Sequence, residues 1–166
     1  MTTGSLLPDD IMAAAQKVVA QNRDAGRMVA VAESCTGGLV SAALTEIAGS
    51  SAVLDRGFVT YSNEAKRELL GVSGEILDAF GAVSVATAWA MAQGALKHSG
   101  ADVAVAISGI AGPDGGSPQR PVGTVVFARA TRDSEEVVAE ERRFENCNRA
   151  EVRRQATLVA LELLLP

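Results

Sequence analysis

The chain has 166 residues, 48% of them hydrophobic but only 4% aromatic, and a formal net charge of -5 from 15 basic and 20 acidic side chains. That is the size of one domain with a core of Ala, Val, Leu and Ile. The acidic balance argues against general nucleic-acid binding, which needs a basic face to displace counterions, and no apolar run is long enough to cross a bilayer.

Residues 1–8 read as a disordered tail without the basic and apolar regions of a signal peptide, so a cytoplasmic location is expected. Asp9 and Asp10 precede an amphipathic helix over 11–25 that stops at Gly26. Residues 28–33 form a short apolar strand, 34–38 a tight loop and 39–48 a helix. A second strand is predicted over 52–61, helices over 62–70 and 74–79, and a longer Ala-rich helix over 84–99. Residues 102–107 make a third strand that runs into a glycine-rich loop at 108–116. Residues 122–130 and 135–144 pair as a hairpin, and 149–165 close the chain as a helix. Strands and helices alternate early and a hairpin comes late. The pattern predicts a single α/β domain over 9–166, a three-layer α/β/α arrangement around a mixed, mostly parallel sheet.

Open α/β sheets bind ligands at the carboxyl ends of their strands. The loops at 34–38 and 108–116 follow directly on predicted strands, and parallel pairing of those strands would turn both to one crevice. Ser34-Cys35-Thr36-Gly37-Gly38 offers two hydroxyls and then the start of a helix, whose free N–H groups hold a phosphate or an oxyanion. The plainer alternative is an ordinary helix cap by Ser34 or Thr36. Ser108, Gly109, Gly112, Gly115 and Gly116 lie within nine residues, which brings backbone close to a ligand. Asp114 reads as a turn former.

A Ser-His-Asp triad needs a histidine, and the only one, His98, falls where a helix end would be capped. A lysine serves as base when burial lowers its pKa, and the candidate is Lys66. Periodicity alone favours a solvated lysine there. Cys35, beside a helix N-terminus, is a second candidate nucleophile, with a small buried hydrophobe as its alternative. Cys35 and Cys147 are too far apart in sequence for a metal-ligand motif, and no metal or other cofactor is expected. Trp89 reads as a core anchor.

Four strings in order carry a resemblance to a known family. They are Glu33-Ser34-Cys35-Thr36-Gly37-Gly38, Tyr61-Ser62-Asn63-Glu64-Ala65-Lys66, Ser108-Gly109-Ile110-Ala111-Gly112-Pro113 and Pro121-Val122-Gly123-Thr124-Val125. Together they resemble the C-terminal domain of the CinA (competence/damage-inducible) proteins, from about residue 10 to the end. The resemblance implies a nicotinamide-nucleotide amidase that converts nicotinamide mononucleotide to nicotinate mononucleotide and ammonia, in pyridine-nucleotide salvage. It implies Ser34 as nucleophile, Lys66 as base and Tyr61 close to both. It further implies nucleotide binding by Thr36, Gly37, Gly38, Ser108, Gly109, Gly112 and Arg149.

It also implies a stand-alone form without the N-terminal domain of the longer members, and a homo-oligomer, for which the helix at 84–99 is the expected packing face. The chain departs from the family pattern at Cys147, where glycine is usual before Asn148-Arg149, and at Arg120, where lysine is frequent. Two rival functions stand beside the serine amidase: a non-catalytic pyridine-nucleotide-binding module, and an amidase with Cys35 as nucleophile.

Overall fold

The computed structural model describes residues 4–166, so the tail expected at 1–8 lies partly outside the described residues; 4–8 carry no helix or strand. The elements are α1 (Asp9–Asp24), β1 (Val29–Glu33), α2 (Leu39–Thr45), β2 (Leu54–Val59), α3 (Asn63–Leu70), α4 (Gly74–Phe80), α5 (Val85–Lys97), β3 (Val103–Gly109), β4 (Thr124–Thr131), β5 (Val138–Arg143) and α6 (Arg149–Leu163). One sheet runs in the order β2-β1-β3-β4-β5. β1 pairs parallel with β2 and β3, while β3–β4 and β4–β5 are antiparallel. The expected α/β fold with a mixed sheet is present, its pairings divided evenly between parallel and antiparallel.

The two central parallel strands are buried on both faces, and their sequences show why. In β1 and β3 valine alternates with alanine. Val29, Val31, Val103, Val105 and Ile107 face one layer, where they pack with Ile11, Val18, Leu44, Val152 and Leu161 of α1, α2 and α6. Ala30, Ala32, Ala104 and Ala106 face the other, where Ala88, Met91, Ala92 and Ala95 of α5 lie against them. Small residues on both sides of that second contact let α5 approach the sheet closely. The Ala-rich face of α5, expected as an oligomer contact, is thus consumed inside the chain.

Several boundaries differ from expectation. Ser108 and Gly109 extend β3 rather than open the loop, because they pair with Val126 and Val125 of β4. Residues 50–52 form a 3-10 turn, which shortens the second strand at its start. The crevice at the strand ends lies at β1 and β3, where the chain, having paired β2 on one side of β1, crosses to place β3 on the other.

Candidate active site

The loops after β1 and β3 sit side by side at the carboxyl ends of parallel neighbours: Glu33 pairs with Ile107, and the Ser34 N–H donates to Ile107 O at 2.9 Å. β2 ends beside them, with Thr60 N–H donating to Glu33 O. Such a reversal of strand order leaves an open crevice in α/β sheets.

Lys66 enters this crevice from α3, where Ser62 caps the helix through Ala65 N–H. Its side chain is 1% exposed. Nζ lies 3.1 Å from Ser34 Oγ, 3.0 Å from Thr60 O and 3.1 Å from Tyr61 O. No carboxylate lies within salt-bridge distance of Nζ among the described residues. Burial lowers the Lys66 pKa from its ordinary value. Nζ donates to Ser34 Oγ and to the two carbonyls, while the Ser34 hydroxyl donates to Tyr61 O at 3.4 Å; once deprotonated, the amine has a lone pair to offer the Ser34 proton.

The loop that carries Ser34 is held by Glu33. This residue is fully buried, and its carboxylate faces the layer opposite Lys66. Oε1 accepts from Thr36 Oγ1 at 2.7 Å and Val40 N–H at 2.9 Å; Oε2 accepts from Ser41 N–H at 3.1 Å and Ser41 Oγ at 2.8 Å. The N-terminus of α2 is therefore occupied by the chain's own carboxylate, and the phosphate site considered for this helix end is filled. Neither Ser34 nor Thr36 is the helix cap. Gly38 stands at that position with φ 101°, a left-handed conformation that turns the loop into α2. Within the loop, Gly37 N–H donates to Ser34 O, whereas the N–H groups of Cys35 and Thr36 have no backbone acceptor among the described residues.

Tyr61 and Arg149 meet over the crevice. Arg149 Nη1 donates to Gly112 O at 2.7 Å, and Nη2 lies 3.3 Å from Tyr61 Oη. The first residue of α6 is thereby joined to the glycine loop and to the end of β2. Tyr61 touches Lys66 through its backbone carbonyl, while its phenol, in a side chain left 61% exposed, turns to Arg149. A Cβ at Gly37 would stand 3.5 Å from Arg153 Nη2 and one at Gly38 3.6 Å from Val59 Cγ2, while Gly112 O accepts from Arg149. Ser108 is engaged elsewhere: its hydroxyl donates to Ala82 O at 2.8 Å, tying the α4–α5 connection to β3. Gly109 is held in the sheet against Val125. The Thr36 hydroxyl is committed to Glu33, and its backbone N–H has no backbone acceptor among the described residues.

Cys35 is buried in the valine-side core, and burial pushes its thiol up to about 12. That environment opposes a thiolate nucleophile. His98 ends α5 with Nδ1 2.8 Å from Gly94 O, a capping contact. Arg120 donates to Phe80 O at 2.8 Å, and Cys147 is half-buried with Sγ 3.4 Å from Glu145 O.

Two residues of the site escaped the sequence reading. Glu33 was legible as a lone acid closing an apolar strand. Arg153 lies one helical turn beyond Arg149, and its guanidinium donates from Nε to Cys35 O at 3.0 Å and from Nη2 to Thr36 O at 3.3 Å.

A family model described as the CinA C-terminal domain matches residues 11–166. The chain is 55% identical over 140 residues to a nicotinamide-nucleotide amidohydrolase PncC of Enterobacter agglomerans, covering 84% of each sequence. To the nicotinamide-nucleotide amidohydrolase PncC of Escherichia coli strain K12 it is 52% identical over 155 residues, covering 93% of each. The crystal structure of the competence/damage inducible protein CihA from Agrobacterium tumefaciens superposes with a TM-score of 0.93 at 53% identity, covering 97% of each chain.

Proposed function

This chain belongs to the CinA C-terminal domain family, and from that premise we propose that it deamidates nicotinamide mononucleotide to nicotinate mononucleotide and ammonia, with Ser34 as nucleophile and Lys66 as base. The amidohydrolase assignment rests on the relatives. The observation that carries the catalytic roles is the buried, unpaired Lys66 within hydrogen-bond distance of Ser34 Oγ.

Lys66 takes the Ser34 proton on its lone pair as Oγ attacks the carboxamide carbon. The negative charge that forms on the carboxamide oxygen is held by N–H groups of the Ser34 loop that have no backbone acceptor, those of Cys35 and Thr36. The protonated Lys66 then gives its proton to the departing nitrogen, which leaves as ammonia. Water attacks the resulting ester, Lys66 again takes a proton, and Ser34 is released with the acid. Thr60 O and Tyr61 O fix Nζ throughout, so the base needs no carboxylate partner. Arg149 and the backbone around Gly112 offer the substrate phosphate a cation and a concave surface.

The protein acts in the cytoplasm, where pyridine nucleotides turn over, and among the described residues no helix is long and apolar enough to cross a membrane. Self-association belongs to the same proposal. It is supported by apolar side chains left exposed beside the crevice, Val59 at 51% and Tyr61 at 61%.

The test is ammonia release from nicotinamide mononucleotide by purified protein, run beside Ser34→Ala. Release by the wild type and loss in the variant is expected. A folded wild type that binds the nucleotide and releases nothing would return the protein to the binding-module alternative.

A further inference from the structure

We propose that Arg153 is a positioning residue for this reaction, one that aims the Cys35–Thr36 peptide, whose Thr36 N–H faces the oxyanion, from the opposite layer of the fold. The proposal rests on the serine-amidase reading for the identity of the reacting group, and its observations are separate.

The Arg153 guanidinium grips two successive carbonyls, those of Cys35 and Thr36. A trans peptide is planar, with its C=O and N–H pointing in opposite directions. Fixing Cys35 O toward α6 therefore fixes Thr36 N–H away from it. α6 packs on the valine face of the sheet, whereas Lys66 belongs to α3, whose buried Leu70 packs with the alanine face. Thr36 N–H is thus directed toward the side where Ser34 Oγ meets Lys66. It has no backbone acceptor, in contrast to the N–H groups of Ser34 and Gly37.

The charge of Arg153 is also uncommitted. Its neighbour Arg154 pairs with Glu151 and Asp10, while Arg153 forms no salt bridge among the described residues. A cation held against Cys35 O polarises the peptide that carries Thr36 N–H and strengthens that N–H as a donor, whereas the N–H paired with Thr36 O, that of Gly37, is already given to Ser34 O. The base thus comes from one layer, and the alignment of the Thr36 oxyanion donor from the other.

The experiment compares wild type, Arg153→Gln and Arg153→Lys in two assays, with thermal melts to establish folding. The first is ammonia release from nicotinamide mononucleotide. The second is the rate at which a fluorophosphonate labels Ser34, read by intact mass. In that step the Oγ–P bond forms, the P–F bond breaks, fluoride leaves and Lys66 takes the proton. Labelling needs the nucleophile and the oxyanion donors but not the nucleotide.

Arg153→Gln is expected to lower kcat and the labelling rate about 10- to 100-fold, with KM within about twofold of wild type. Arg153→Lys, which keeps the charge but not the fork, falls between. A folded Arg153→Gln that labels at the wild-type rate overturns the proposal, as does a rise in KM at unchanged kcat. If Arg153→Gln does not fold, Arg153→Lys decides, and wild-type rates there are equally fatal. A wild type that labels at Ser34 but releases no ammonia refutes the amidase reading, while the labelling series still decides the role of Arg153. A wild type that does not label overturns the proposal.

Discussion

Lys66 Nζ lies 3.1 Å from Ser34 Oγ, although 32 positions separate the two residues in the chain. Burial of Nζ without a carboxylate partner lowers its pKa from an ordinary 10.5. We expect kcat/KM to rise with pH through one ionisation below the ordinary lysine value and then level off. Lys66→Met is expected to lose turnover at least about 100-fold. The same shift has a consequence for stability. The unfolded chain binds more protons than the native one between the lowered and the ordinary pKa, so native stability increases as pH rises through that window. The melting temperature of the wild type relative to Lys66→Met should therefore climb with pH. A difference that stays flat or falls would show that Lys66 is charged in the native protein.

Glu33 tests how firmly the loop must be held. Four donors converge on its two carboxylate oxygens. Glutamine offers one acceptor oxygen there and turns an N–H₂ group toward donors. Glu33→Gln is expected to destabilise the fold by about 2–3 kcal/mol, because it weakens charge-assisted bonds in a buried place. It should also lower kcat, since Thr36 and the start of α2 are released together. Urea unfolding measures the first effect, and an unchanged midpoint would show that the cluster is dispensable.

The cysteine route makes the opposite forecast. With its thiol buried and raised to about 12, Cys35 should resist iodoacetamide in the native protein, while half-buried Cys147 reacts first. Cys35→Ala should keep activity within a few-fold of wild type, at a stability cost of about 1 kcal/mol. Peptide mass mapping during inactivation separates the cases. Loss of activity in step with Cys35 alkylation would restore the thiol as a nucleophile.

The sequence made the layers legible because β1 and β3 are written in alternating valine and alanine, with serine and glycine at their ends. It made Ser34 and the glycine loops legible because they follow directly on those strands. The burial of Lys66 was harder to see. In a short polar helix a lysine defaults to solvent, yet Lys66 and Leu70 are spaced i, i+4 and both are buried. Ser108 misled because a serine before glycine reads as a loop, whereas pairing with β4 makes it part of a strand. Tyr61 was expected beside the base, and only its carbonyl is there. Side-chain direction at the end of an edge strand depends on what waits across the crevice, here Arg149 from the far end of the chain. Glu33 shows locally only as a lone acid closing an apolar strand, and Arg153 requires knowing that the loop sits between α2 and α6, a tertiary relationship that no local pattern reveals.

Gly94 connects packing to catalysis. Glycine inside a helix ordinarily costs about 0.5–1 kcal/mol relative to alanine, so Gly94→Ala would stabilise an isolated α5. Here the sign should reverse. A Cβ at Gly94 would stand 2.9 Å from the Leu70 carbonyl carbon and 3.0 Å from Leu70 Cβ, and closer still to Leu70 O. Leu70 is the last residue of α3, one turn beyond Lys66, and backbone cannot yield as a flexible side chain does. The added methyl must push α3 away from α5, which carries Nζ away from Ser34. We expect Gly94→Ala to cost about 1–3 kcal/mol in stability. A displacement of about 1 Å at Nζ would lower kcat up to about 100-fold, with less effect on KM. Urea unfolding and steady-state ammonia release measure the two effects separately. A variant more stable than wild type and fully active would mean that α3 is free to shift without disturbing the Ser34–Lys66 contact.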